Sequence, residues 1–409
     1  MPKSTTPMPT ASQRVKRLFF FWCIAVLLGS STSIATWSLH ITGPIQSLSN
    51  FLYMFSLPGW IPLYLVGLAG IRDNPVTIFL ANAIAWTGWC IGLWILLVLL
   101  ERVQNQTEES TDEAIDDSRR SFMTKGVLGI GALGAVASPG YATLVEPWEI
   151  KVRRYTVPIA GLPHVFDGLR VVQFSDSHLG PRIPESFIRH AVQQTADLRP
   201  DLLVLTGDYI HDGGALIDQA AELCKPMINA SRLGTLGVLG NHDWWGDGAR
   251  MSRALQAQGV RMIDNDRVWL DPLTQQITDE PIPDALAIVG LGDLDEDTTD
   301  IKRAFRDVHQ GTPRLLLAHQ PDTAELGSLK GTGAPRVDLM FSGHTHGGQV
   351  RIPLIGTPIV PSNYGSKYAG GLVQAPRFPV VVSRGIGMSL LPLRFGVPPE
   401  IVEVTLTRA

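Results

Sequence analysis

The 409-residue chain reads as an α/β domain preceded by an all-α transmembrane region. Three observations carry that reading. Residues 18–100 are nearly free of charge, a length that fits membrane spans better than core helices. From about residue 150, short Leu- and β-branched-rich runs alternate with helical stretches. Compact polar signatures follow the ends of most of those runs, the place where open α/β sheets build their sites.

The first 104 residues form the membrane region. Arg72 and Asp73 are the charges between Arg17 and Glu101, and the candidate spans are Leu18–Ile41, Phe51–Ile71 and Val76–Leu100. Pro58, Gly59 and Pro62 give the middle segment a re-entrant alternative, so two or three segments cross. The lipid bilayer is accordingly the first expected partner, and the cell membrane the expected location.

Residues 105–125 read as an acidic, solvated linker that runs into Arg119-Arg120. Residues 126–149 follow, with Gly126–Val136 apolar and Gly140-Tyr141-Ala142 of small-x-small form. Two readings stand: a twin-arginine export signal, with Phe122 two residues after the pair, or a fourth span flanked by positive charge. Arg14, Lys16 and Arg17 place the N-terminus inside. Four full spans keep the following domain inside, whereas a re-entrant middle segment and a functional export signal put it outside. The extracytoplasmic placement is the one preferred.

Residues 150–409 form the α/β domain. Strand-like runs occur at Leu169–Ser175, Leu202–Thr206, Thr235–Leu239, Leu286–Gly290, Arg314–Ala318, Leu339–Phe341, Pro379–Ser383 and Glu400–Thr407. Their unbroken apolar character indicates strands buried on both faces. Helical stretches lie between them at Glu185–Leu198, Ala215–Ile228 and Gly248–Gln258. A net charge of −4 gives no electrostatic basis for nucleic acid as a partner. Cys23, Cys90 and Cys224 sit in apolar or helical contexts, which excludes a disulfide framework and makes thiol chemistry a poor account.

The signatures are Asp176-Ser-His178, Gly207-Asp208, Gly240-Asn241-His242-Asp243, Ala318-His319 and Gly343-His344-Thr-His346. Among the first six runs, Leu286–Gly290 is the one without such a follower. Asp176 and His178 are expected to point the same way from an extended strand end. Gly207 lets the backbone turn and present Asp208 between two cations. Asn241 adds a neutral oxygen, and His319, His344 and His346 complete a shell of nitrogen and oxygen donors. Such a shell suits two divalent cations sharing a carboxylate, with Mn, Fe or Zn favoured over Mg by the number of imidazoles. His40, His164, His190, His211 and His309 lack that context, and His211 is the nearest of them to the site.

In order and spacing these motifs resemble the calcineurin-like metallophosphoesterase superfamily, over roughly residues 165–350. The resemblance implies a four-layer αββα metallophosphoesterase sandwich. It also implies one metal on Asp176, His178, Asp208 and His346 and the other on Asp208, Asn241, His319 and His344. Purple acid phosphatases of the superfamily carry a ligand Tyr three residues after the bridging Asp; here His211 holds that position and Tyr209 is one residue after. The tail, from Gly343 to Gln349 and on through Pro353, Gly356, Pro361 and Lys367-Tyr368, resembles a bacterial membrane-associated branch. That branch includes twin-arginine-exported phosphodiesterases and proteins similar to UDP-2,3-diacylglucosamine pyrophosphatases of lipid A synthesis.

The expected activity is hydrolysis of a phosphodiester or pyrophosphate bond, with a lipid-linked substrate the first reading. A tethered enzyme for soluble nucleotides and an inactive membrane scaffold or sensor are the alternatives. His242 and Asp243 are the catalytic candidates: His242 as acid or hydrogen-bond donor to the leaving group, with Asp243 or Asp212 orienting its ring. Capping of the next helix is an equal reading for Asp243. Gln349, Lys367 and Arg394 are the candidate substrate contacts. Ile352, Leu354, Ile355 and Val360, then Leu390, Leu391 and Leu393, interleave apolar material with those cations as a lipid-facing rim or as packed loops.

Overall fold

Every strand-like run of the α/β region becomes a strand. The computed structural model describes residues 141–409 apart from Leu354 and Leu390. The candidate spans, the acidic linker, Arg119-Arg120 and Gly126–Val136 lie outside the described residues. Among the described residues no helix is long and apolar enough to cross a membrane.

The strands in chain order are β1 (Lys151–Ile159), β2 (Arg170–Phe174), β3 (Leu202–Thr206), β4 (Thr235–Val238), β5 (Val260–Met262), β6 (Arg267–Leu270) and β7 (Ile277–Thr278). They continue with β8 (Leu286–Gly290), β9 (Arg314–Leu317), β10 (Leu339–Ser342), β11 (Gly371–Gln374), β12 (Pro379–Val382) and β13 (Glu400–Arg408). One sheet has the order β1-β13-β2-β3-β4-β5 and the other β11-β12-β10-β9-β8-β6-β7. The central strands β2 to β5 run parallel, as do β8, β9, β10 and β12. Their carboxyl ends therefore deliver the polar signatures to one end of the molecule.

Side-chain alternation sorts the apolar residues into layers. Val171, Leu202, Val204, Leu236 and Val238 of the first sheet meet Leu286, Ile288, Leu315, Leu317 and Phe341 of the second in one buried core. Their neighbours Val172, Leu203 and Leu205 face the other way, against helices α1 (Glu185–Asp197), α2 (Ile217–Leu223), α3 (Lys225–Ala230) and α4 (Asn241–Ala257). Over the second sheet, Val289, Leu316, Met340 and Val380 pack on Ala304 and Leu329 of the single-turn helices α5 (Ile301–Ala304) and α6 (Gly327–Lys330). The arrangement is a mixed α/β sandwich whose fourth layer is thin.

Three local departures from expectation have plain causes. The Ala215–Ile228 stretch divides at Cys224 into α2 and α3, because Pro226 has no N–H to continue the ladder. Helix α4 starts seven residues before Gly248 and breaks at Asp247 (φ −176°), whose carboxylate accepts from Arg250 N at 2.9 Å and caps the second half. Strand β1 was not among the expected runs. It is an edge strand with Lys151, Arg153 and Arg154 on solvent-facing positions, and Val157 and Ile159 are its buried residues.

The candidate cleavage sequence reaches into the described domain. Residues 141–144 are helical, Ala142 is buried, and its carbonyl accepts from Arg394 N at 2.9 Å.

Candidate metal centre and active site

The chain leaves its strands by left-handed turns. Asp176, His178, Asp208, His344 and His346 have φ between +46° and +69°. This corrects the extended geometry expected for Asp176 and His178: the strand stops at Phe174, and the next residues coil so that both side chains turn inward. Such backbone is costly for residues with a Cβ, and its concentration here marks a site whose geometry the surrounding fold imposes. Gly207 (φ +91°) permits the close approach of Gly240, whose backbone nitrogen a Cβ at 207 would strike.

The side chains converge in two adjoining clusters, Asp176–His178–His346 and Asp208–His319–His344. Asp208 joins them: its Oδ2 lies 3.4 Å from His178 Nε2 and 3.2 Å from His319 Nε2. His178 Nε2 and His346 Nε2 are 2.8 Å apart, and His346 Nε2 is 3.5 Å from Asp176 Oδ1. His344 Nδ1 lies 3.1 Å from Asn241 Oδ1 and 3.2 Å from His319 Nε2. His319 Nδ1 faces the Thr206 carbonyl at 2.7 Å, which directs its Nε2 to the cluster.

Burial lowers His178 and His346 well below the ordinary imidazole range and His344 to about 3, so all three are neutral donors of lone pairs. Burial acts the same way on His319, but the Asp208 carboxylate outweighs it and raises that ring well above its usual value. Burial pushes Asp176 up to about 7.

Asp243 does not orient His242. It is buried and accepts from the backbone nitrogens of Asp208 (2.8 Å), Tyr209 (2.9 Å) and Gly240 (2.9 Å), so it ties the Asp208 turn to the start of α4. The capping reading thus accounts for its contacts, extended to a second loop. Burial and the Asp208 charge push its carboxyl up to about 8. The ring of His242 is set by a backbone carbonyl, that of His211, 2.5 Å from Nδ1. Asp212 is exposed and lies 3.4 Å from His211 instead.

The sequence model of the calcineurin-like phosphoesterases matches residues 169–348. The metallophosphoesterase YkuE of Bacillus subtilis is 34% identical over 293 residues, covering 71% of this chain and 97% of its own. This chain belongs to the calcineurin-like phosphoesterase family. A zebrafish transmembrane protein with a metallophosphoesterase domain is 25% identical across 78% of this chain and 72% of its own length. The UDP-2,3-diacylglucosamine pyrophosphatase LpxG of Chlamydia trachomatis is 28% identical across 64% of this chain and 90% of its own. As a calcineurin-like phosphoesterase the chain is a metal-dependent phosphoric ester hydrolase.

Calcineurin-like phosphoesterases use two divalent metals, and the donor set here fits them. Asp176 Oδ2 is buried without a hydrogen-bond partner among the described residues, as is His178 Nδ1. A buried carboxylate oxygen left unpaired amid neutral imidazoles is costly unless a cation completes it. Among the described residues no thiol donor is near, since Cys224 lies in the helical core. Tyr209 is no ligand either: its hydroxyl donates to the Val238 carbonyl at 3.1 Å within that core.

The phosphoesterase site opens into a cavity of about 150 Å³ lined by Asp208, Asn241, His242, His344, His346 and Gln349. Trp245, Thr345, Pro361 and Ser389 also line it, and of these four Trp245 and Ser389 were not singled out from sequence. Trp245 follows Asp243 by two residues, and its ring centroid is 4.3 Å from that of His242. His211 belongs to the site as well, grouped with His178 and His242, with burial and Arg182 lowering it to about 4. Its position after Asp208-Tyr-Ile was the signal. Strand β8, which lacked a follower, delivers Asp293, a buried carboxylate that accepts from Gln320 Nε2 at 3.1 Å beside His319.

Of the three expected substrate contacts, Gln349 alone lines the cavity; its Nε2 donates to the carbonyls of Leu391 (2.7 Å) and Leu393 (2.9 Å). Lys367 is engaged elsewhere, 2.6 Å from Glu325 Oε1. Arg394 is fully buried and donates to the carbonyls of Arg384, Gly385, Gly387 and Val397, with Nη2 3.5 Å from His346 Nδ1. Arg394 has its donors satisfied inside the fold, whereas Lys367 is exposed and paired with Glu325.

Proposed function

We propose that this phosphoesterase is a membrane-anchored, multi-pass enzyme that hydrolyses a phosphodiester or pyrophosphate bond at a two-metal centre, with a lipid-linked substrate. The observation that carries the chemistry is Asp208 Oδ2 at the junction of two histidine clusters on the floor of one cavity. Asp176, His178, Asp208 and His346 would hold one cation, and Asp208, Asn241, His319 and His344 the other. When bound, two such cations lower the pKa of water and offset charge on the oxygens of the reacting phosphoryl group.

The chain's own residues supply the rest. His242 lines the same cavity, and its Nε2 is the atom left to face a leaving-group oxygen and protonate it. Asp243 keeps the Asp208 turn in register with Asn241 through three N–H bonds. Arg394 locks the loops that carry Gly385 and Gly387 behind His346. A full set of donors argues against an inactive scaffold.

Anchoring is supported by residues 18–100, whose only charges are Arg72 and Asp73, and by the transmembrane relative from zebrafish. A lipid-linked pyrophosphate is supported by the likeness to LpxG. The test is the purified full chain in detergent, loaded with Mn²⁺ or Zn²⁺ and assayed on matched phosphodiester, pyrophosphate and monoester substrates with and without acyl chains. A tenfold or greater preference for the acylated diester or pyrophosphate fits the reading. Indifference to the chains returns the enzyme to soluble substrates, and no hydrolysis with full metal content returns it to a scaffold. Protease access in intact cells reads the side, with the extracytoplasmic face proposed.

A further inference from the structure

Three segments lie side by side next to the catalytic cavity. Ala142 O accepts from Arg394 N (2.9 Å), Glu146 Oε2 from Gly396 N (2.9 Å), Gln349 O from Phe395 N (2.9 Å) and Phe395 O from Arg351 N (2.7 Å). Ile352 closes a tight turn with Gly356 (2.8 Å). Residues 141–146, 349–352 and 393–396 are thus joined by hydrogen bonds, and Gln349, in the middle segment, is part of the cavity wall.

These segments and the Ile352–Gly356 turn expose five of the ten large apolar side chains that stand exposed among the described residues. Tyr141, Leu144, Val145, Ile352 and Ile355 are all exposed, with Leu144 at 62% and Ile355 at 72%. Arg351 stands exposed among them, with no side-chain partner among the described residues. The sequence around it carries no acid: none lies between Asp338 and Glu400, whereas Arg351, Lys367, Arg377, Arg384 and Arg394 do. Exposed isoleucines beside an exposed arginine suit a bilayer surface, where apolar tips enter the head-group boundary and the cation meets phosphate; the one acid within the three segments, Glu146, is buried and turned to Gly396 N. Tyr141 of this patch stands five residues after the apolar Gly126–Val136 sequence.

We infer that Tyr141, Leu144, Val145, Ile352 and Ile355, with Arg351, form a docking surface for an anionic bilayer that sets the mouth of the catalytic cavity at the level of the lipid head groups. The inference rests on the membrane-anchored reading. It assigns the apolar rim to the bilayer itself, which a water-soluble substrate would not need.

The experiment uses the full chain reconstituted in vesicles of phosphatidylethanolamine and phosphatidylglycerol. A nitroxide is placed at Ile355→Cys and, as reference, at Leu273→Cys. Leu273 is 91% exposed and follows β6, which runs antiparallel to β8 and so ends at the opposite end of the sandwich. Docking predicts that the label at 355 collides preferentially with lipid-dissolved oxygen, whereas the label at 273 collides with a water-soluble nickel chelate. Equal nickel access at both positions overturns the docking surface while leaving the anchor intact. A chain that a carbonate wash removes from the vesicles overturns both. In the same vesicles, the double variant Arg351→Gln, Ile355→Ser is expected to lose tenfold or more in kcat/KM on a bilayer-embedded phosphodiester and to keep its rate on a soluble nitrophenyl diester. Parallel loss on both substrates, or on neither, overturns the inference.

Discussion

The Nδ1 atom of His242 lies 2.5 Å from the backbone carbonyl oxygen of His211. A carbonyl accepts and never donates, so Nδ1 carries the ring proton and Nε2 is left toward the cavity, 3.4 Å from Ser389 Oγ. From that position the ring donates to a leaving group in its protonated form alone. His242→Ala is expected to slow hydrolysis of a diester with a poor leaving group by roughly 10²–10⁴-fold, the range of a lost proton-transfer group. With a nitrophenolate leaving group, which leaves unassisted, the loss shrinks. Metal content should stay near normal, and an equal loss with both leaving groups makes His242 a charge stabiliser instead.

Asp208→Asn removes the carboxylate common to both clusters. Activity and both metals are expected to go together, measured by elemental analysis beside diester hydrolysis. A variant that keeps either metal at full occupancy argues that the clusters do not share this oxygen.

Asp243→Asn separates positioning from ligation. Asparagine keeps one acceptor oxygen for the three N–H groups that Asp243 now holds, so the Asp208 turn loosens. Metal affinity is expected to fall by about 10–100-fold, as for other supporting residues. At saturating metal, kcat should recover most of its value, which the loss of a reacting group would not allow.

Metal affinity should rise with pH through neutrality. Burial pushes Asp176 up to about 7, so below that value its carboxyl carries a proton that a cation must displace. The raised His319 competes in the same direction. His178, His344 and His346 are already neutral and add no such demand. Chelator competition for Mn²⁺ on either side of pH 7 reads this; flat affinity removes Asp176 and His319 from the donor set.

Chelation should also lower the melting temperature. The donors come from five different stretches between Asp176 and His346 and meet only when folded, so metal binds the native state selectively. At a free metal concentration a thousandfold above Kd the stabilisation amounts to about 4 kcal/mol. An unchanged melting curve after chelation shows that the fold holds these side chains together without help.

The strands that anchor the site were readable because both faces of each are buried: Leu202–Thr206 and Leu286–Gly290 coincide with the observed elements. Strand β1 was not, because an edge strand advertises itself by half its residues at most. The seven donors were readable as chemistry, since polar residues after apolar runs have few other uses. Their backbone was not, because left-handed φ at Asp176 or His344 follows from how neighbouring loops close and not from the residue itself. The contacts of Asp243, Lys367 and Arg394 depend on partners far away in sequence, and spacing carries no trace of those. His211 escaped as the setter of His242 for a related reason: its contribution is a main-chain carbonyl, which every residue has.

Strand β13 has a consequence in time. It lies between β1 and β2, parallel to one and antiparallel to the other, and those two strands have no direct pairing. During synthesis the first strand of the domain emerges with nothing to pair with, and its nine-residue ladder waits for Glu400–Arg408, which is made after every other described strand. The order of assembly is therefore back to front at this edge. Whatever acts on the chain while it is still growing meets a domain whose first sheet is open.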